Sequence, residues 1–185
     1  MEKTKELLRI EIPQFISHIT LSKKRRAKFT VSETGEMILS NKRTVGKPRL
    51  WKINGQALVV GMDHHLRSKV FLEMKEYLRN FMKDISSIQE YPVSIECELY
   101  ELPHAWNWDV SNKSLIWYKN FEDALQQSGI ITNDNIRYVR KTGGMEYFPV
   151  DNEEDRKMVF KITHSPYPDN IIIPEEKVDN IESNV

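Results

Sequence analysis

Apolar and polar positions alternate most cleanly between Tyr91 and Leu102, where Val93, Ile95, Cys97 and Leu99 take one side and Ser94, Glu96, Glu98 and Tyr100 the other. Successive strand side chains point to opposite faces, so this period of two predicts a strand with one buried face and with Glu96 and Glu98 in solvent. After Trp108 the period changes. Trp117, Phe121, Ala124, Leu125 and Ser128 recur at helical spacing and predict the inward side of a helix that stops at Gly129. Asn112, Ile116, Lys119 and Asp123 follow another line, on the far side of the same helix.

A second helical stripe, Leu66, Val70, Met74, Tyr77, Leu78 and Phe81, predicts a helix over 64–83, with Asp63 as its cap and Arg67, Lys69, Lys75 and Arg79 off the stripe. Leu7 to Ile12 reads as a strand ended by Pro13, and 28–40 as a hairpin around Ser-Glu-Thr-Gly. Residues 41–62 read as an irregular connection. Ile136 to Lys141 and Lys157 to Thr163 read as two further strands, linked by Gly143-Gly144 and the acidic turn Asp151 to Asp155. This order predicts an α+β domain, a small mixed β-sheet with two main helices on one face. The domain is expected over 1–164, with a basic loop or hairpin insertion over 21–62. From Ser165 the chain has three prolines, five acids and one basic residue, which predicts a mobile acidic tail over 165–185.

Composition changes this picture little, and charge changes it more. At 185 residues the chain fits one domain with a proper core. No apolar run approaches the ~18 residues of a membrane span, and the start shows no signal-peptide pattern. The single cysteine, Cys97, excludes an internal disulfide and a cysteine-based zinc cluster. A cytoplasmic protein is expected. Net charge is zero, yet residues 1–85 hold 18 Lys/Arg against 9 Asp/Glu, and residues 86–185 the reverse. Ten basic and two acidic side chains fall in 21–52. Lys23, Lys24, Arg25, Arg26 and Lys28 form one cluster, and Lys42, Arg43, Lys47 and Arg49 lie in a second. Such groups neutralise nucleic-acid phosphates whatever the base sequence, so DNA contact is favoured over a merely solvated loop.

The candidate chemistry lies around the second helix. Asp109 precedes it and Asp134 follows it, 25 positions on. A helix folded back on the sheet would let the two carboxylates meet, as hard oxygen ligands for a divalent metal acting on phosphate. Lys119 and Asp123 are i, i+4 neighbours, which on an arbitrary helix make a modest surface ion pair. His64-His65 do not share a helix face and read as an exposed first turn. Trp106 and Trp108 could stack on unpaired bases or pack on their own domain; nothing distinguishes His104 from a loop residue.

Asp109-Val-Ser-Asn112, Lys119, Phe121-Glu-Asp-Ala-Leu125 and Gly129-Ile-Ile-Thr-Asn-Asp134 together resemble the RusA family of Holliday-junction endonucleases. That family shows Asp-x-Asp-Asn, a lysine on the next helix, Asp-Ala-Leu, a glycine, and an Asp-Asp pair before a strand. The close match covers about 30 residues; a loose one, by order of elements, spans 8–163. Ser111 stands where the family's second acid would be, and Asn133 replaces the first acid of the later pair. Asn112 and Lys119 are about four residues further apart than in the family, roughly one helical turn, which keeps Lys119 on nearly the same face.

The resemblance implies a Mg²⁺-dependent (or Mn²⁺-dependent) structure-selective endodeoxyribonuclease acting on four-way-junction DNA in recombination and repair, working as a homodimer. Asp109 and Asp134 would hold the metal, Lys119 would stabilise developing charge or orient the water, and Asp123 would orient Lys119. Ser111, Asn112 and Asn133 would support the site. Two alternatives stand beside it: a catalytically impaired RusA-like protein that binds branched or single-stranded DNA, and a protein-interaction module whose basic face meets an acidic partner.

Overall fold

The computed structural model describes residues 5–13, 18–21, 28–31, 36–40, 49–52, 64–103 and 110–171; for 18–21, 28–31, 36–40, 49–52, 66 and 110–114 it describes backbone only. Ten elements follow in order: β1 (Glu6–Ile12), β2 (His18–Leu21), β3 (Lys28–Val31), β4 (Glu36–Ser40), β5 (Arg49–Lys52), α1 (His64–Arg79), β6 (Val93–Glu101), α2 (Val110–Gln127), β7 (Val139–Pro149) and β8 (Lys157–His164). A 3-10 turn, Glu153–Asp155, occupies the acidic link before β8.

The main sheet is mixed, in the order β1-β8-β6-β7. β8 runs antiparallel to both β1 and β6, while β6 and β7 are parallel neighbours joined through α2. With two helices packed on this sheet, the domain is α+β, as the hydrophobic pattern predicts. The alternation in β6 sets its inner face: Val93, Ile95, Cys97 and Leu99 are buried against the helices. Glu101 falls on that same side by the period of two, and it is buried too.

Helix α2 stops where Gly129 allows it. Ile130 N–H bonds Leu125 O at 3.0 Å and Gly129 N–H bonds Gln126 O at 3.0 Å, with Gly129 at φ 70°. This is a Schellman closure, and its expected apolar contact is supplied by Leu125 and Ile130, both fully buried. Along the helix, Trp117, Phe121, Ala124 and Leu125 face inward as expected, and Phe121 stacks on Phe160 of β8 with ring centres 3.7 Å apart.

The polar line predicted for α2 is narrower than expected. Ile116 is 3% exposed, and Tyr118, Asn120 and Glu122 are buried as well. The helix meets α1 as well as the sheet, so most of its circumference is covered. Asn120 satisfies its amide by donating to Ile116 O at 2.8 Å. Of the predicted line, Lys119 is exposed and Asp123 half-buried.

Four further expectations are corrected. Gly143-Gly144 does not link two strands, because β7 runs through it as one eleven-residue strand. The register against β6 slips between Ile95 and Cys97, opposite Thr142 and Met145, and Gly143 and Gly144 sit there at φ 109° and 88°. A side chain would be strained in that backbone, so the pair makes a bulge. Residues 41–62 include a strand, β5, and β5 pairs with β2 in a second sheet ordered β3-β4-β2-β5. The predicted hairpin over 28–40 is its β3-β4 pair. Glu98 is not in open solvent: its side chain is 15% exposed and bonded to Lys161. Residues 165–171, placed in the mobile tail, are bonded to the domain: Ser165 N–H to Pro92 O, Arg140 to Pro166 O, and Tyr167 O–H to Ile136 O.

Candidate functional site on helix α2

Lys119 rises from the exposed strip of α2, and its ammonium lies 2.8 Å from Asp123 Oδ1 and 2.9 Å from Asp134 Oδ2. The first contact is the i, i+4 pair visible in the sequence. The second joins the helix to the segment that follows Gly129. That segment is shaped by two side-chain turns: Asn133 Oδ1 accepts from Asn135 N–H at 3.1 Å, and Asn135 Oδ1 accepts from Arg137 N–H at 3.0 Å. Tyr167 holds it from outside through Ile136 O at 2.8 Å.

A third element joins the cluster. Lys75 of α1 donates to Asp123 Oδ2 at 3.3 Å, so Asp123 is shared by two ammonium groups, one on each oxygen. The result is an alternating row, Lys75, Asp123, Lys119, Asp134, that crosses from α1 over α2 to the loop before β7. No spacing in the sequence marks Lys75, which lies 48 positions from Asp123.

The charges reinforce one another. Hydrogen bonding to Asp123, then to Asp134, raises the Lys119 pKa, outweighing its partial burial. The Lys119 hydrogen bond holds the Asp134 carboxyl below the ordinary aspartate range. Glu122 behaves oppositely. It is 8% exposed, burial raises its pKa, and its Oε1 has no partner among the described residues; a hydrogen bond from Thr142 partly offsets the shift. Sequence reading did not single it out, because Glu122 sits between Phe121 and Asp123 and nothing local marks it as buried; the covering of its side of the helix comes from the fold.

Of the remaining predicted site residues, Ser111 and Asn112 lie in the first turn of α2, where only backbone is described. Asn112 precedes Lys119 by two turns, about 10 Å along the axis. One turn before Lys119 on the exposed strip stands Leu115, 64% exposed. Asp109, His104, Trp106 and Trp108 lie outside the described residues, as do Lys23, Lys24, Arg25, Arg26, Lys42, Arg43 and Lys47. Lys28 and Arg49 are placed by backbone alone, in β3 and β5. His64 and His65 are exposed at the start of α1, as expected.

Beyond this row, a buried ion pair closes the end of β6. Arg156 lays Nε 2.6 Å from Glu101 Oε1 and Nη2 3.2 Å from Oε2, and Leu102 N–H donates to Oε1 at 2.9 Å. Tyr147 O–H bonds Glu101 O at 2.6 Å, so strand, β7 and the turn before β8 are tied at one point.

A divalent metal asks for hard, ionised oxygen ligands. Among the described residues no group of three or more His, Cys, Asp or Glu side chains could hold one. Asn133 uses its oxygen in its own turn, and Asp123 is engaged by two lysines. Asp134 remains: ionised, partly exposed, with Oδ2 on Lys119. Mg²⁺ keeps several waters and takes as few as one or two protein carboxylates. The described residues form no closed protein cage for a metal, and Asp134 is the carboxylate of the row with one oxygen not bonded to lysine.

Comparison with protein-family models finds no match to this chain, and no curated protein matches it. Among the described residues no helix is long and apolar enough to cross a membrane.

Proposed function

We propose that this chain is a RusA-like, Mg²⁺-dependent endodeoxyribonuclease that acts on branched DNA as a homodimer, in recombination or repair within the cytoplasm. The observation that supports it is the meeting of Lys119 and Asp134 at 2.9 Å from separate elements, at the spacing the resemblance requires. Asp134 and Asp109 would hold Mg²⁺ or Mn²⁺, which supplies an activated water and neutralises charge on the scissile phosphate. Lys119, kept protonated by its two carboxylates, presents an ammonium that donates to a phosphate oxygen as charge develops. Asp123 retains Lys119 in place during that exchange. Lys23, Lys24, Arg25, Arg26, Lys28, Lys42, Arg43, Lys47 and Arg49 would contact the DNA backbone.

A synthetic four-way junction incubated with the protein, with and without Mg²⁺, tests this reading. Metal-dependent nicking near the branch point supports it; no cutting at any metal concentration overturns it.

One observation favours a second reading, a RusA-like protein that binds branched DNA without cutting it. Three of the four carboxylate oxygens of Asp123 and Asp134 are bonded to lysine, which leaves little carboxylate for a metal. Salt-sensitive junction binding with no cleavage would establish that reading.

A further inference from the structure

We propose that Lys75, on α1, is the positioning residue for Lys119, acting through Asp123. Asp123 receives one ammonium on each oxygen, Lys119 at 2.8 Å and Lys75 at 3.3 Å. A carboxylate bonded on one oxygen alone can turn about its χ angles and release that partner. Bonded on both oxygens, it turns only by breaking one of two charge-assisted hydrogen bonds. Lys75 is the better-buried cation, with 18% of its side chain exposed against 56% for Lys119. It therefore serves as the fixed end of the row, anchored on a helix packed against α2.

The other end is freer. Asp134 lies in the loop between Gly129 and β7, whereas Asp123 lies within α2. When a phosphate or cation competes for this surface, Asp134 is the partner Lys119 exchanges and Asp123 the one it keeps. Lys75 thus decides whether Lys119 stays aimed when Asp134 is taken from it. The chemistry given to Lys119 rests on the reading above, but the relay does not.

The test is amine labelling of the full-length protein with acetic anhydride, with Lys119 followed by peptide mass spectrometry against Lys141, which pairs with Glu96 on the sheet, as internal reference. Held against Asp123, the Lys119 amine is engaged in a hydrogen bond and slow to acylate. Loss of a competing cation alone would tighten Lys119 on Asp123 and slow it further. By leaving Asp123 free to turn, Lys75→Met should speed Lys119 about fivefold relative to Lys141, the scale of a partly exposed ion pair. Asp123→Asn should do the same, and Lys75→Arg should restore the slow rate. If Lys75→Met instead speeds every lysine alike and lowers Tm, the fold has loosened, and Lys75→Gln, of similar length but uncharged, is read in the same way. A Lys119 rate unchanged or slowed by Lys75 substitution while Asp123→Asn raises it overturns the proposal. So does a rate unchanged by both. Junction cleavage by the wild type, measured alongside, reports separately on the nuclease reading: no cutting with the labelling pattern intact removes the nuclease and leaves the relay.

Discussion

Fifteen positions apart, Lys119 and Asp134 meet at 2.9 Å because α2 ends at Gly129 and the chain turns back beside it. Asp134 titrates below its ordinary value in the fold, so its share of stability is present above about pH 3.9, the unfolded aspartate value, and disappears as pH falls through the lowered one. Lys119 titrates above its ordinary value, so its share is present below about pH 10.4 and disappears as pH rises through the raised one. Both groups are partly exposed, and the pair contributes less than about 1 kcal/mol between those limits. Lys119→Met should raise the Asp134 pKa, read from its carboxyl ¹³C shift. An unmoved titration would break the link between the two residues.

Glu122 carries the opposite sign. Burial raises its pKa, so the folded protein holds a proton that the unfolded chain releases, and stability falls as pH climbs above about 4.3, the unfolded glutamate value. Glu122→Gln keeps a partner for Thr142 without the charge. It should be more stable than wild type at pH 7, with the advantage shrinking as pH falls toward the unfolded glutamate value. Urea unfolding at both pH values checks this, and a variant less stable at pH 7 would mean the ionised carboxylate is stabilised in place.

Arg156→Met should be among the most damaging single changes. It leaves Glu101, with 2% of its side chain exposed, as a buried charge without its guanidinium. Removing one partner of such a pair costs about 3–5 kcal/mol. Denaturant unfolding measures the loss, and a cost below about 1 kcal/mol, typical of a surface pair, would mean the carboxylate finds water or another partner.

Alanine at Lys23, Lys24, Arg25 and Arg26 should weaken DNA binding for all sequences alike. Each lost phosphate contact lowers the slope of log affinity against log salt by about 0.9 on duplex DNA. An unchanged affinity at low salt would remove this segment from the interface.

Local rules made much of the fold legible. The period of two found β6, the stripe of Val70, Met74 and Leu78 found α1, and Gly129 marked the stop of α2. What periodicity does not carry is how many sides of a helix are covered: α1 packs on one side of α2 and β7 on another, where Thr142 meets the buried Glu122, a tertiary fact. The Gly-Gly of β7 carries the composition of a link, and only pairing with β6 shows it to be a bulge. The site was legible where its members are near in sequence, as Lys119 and Asp123 are. Lys75 with Asp123 and Arg156 with Glu101 are 48 and 55 positions apart, and no local pattern joins them.

Cleavage of a four-way junction by the wild type and Asp134→Asn, over a Mg²⁺ titration and beside a binding assay, tests the central claim most directly. The account predicts Mg²⁺-dependent cutting by the wild type. It also predicts that Asp134→Asn binds the junction as well or better, because a negative charge beside the phosphate is gone, and does not cut. A wild type that cuts and an Asp134→Asn that cuts equally well would contradict it.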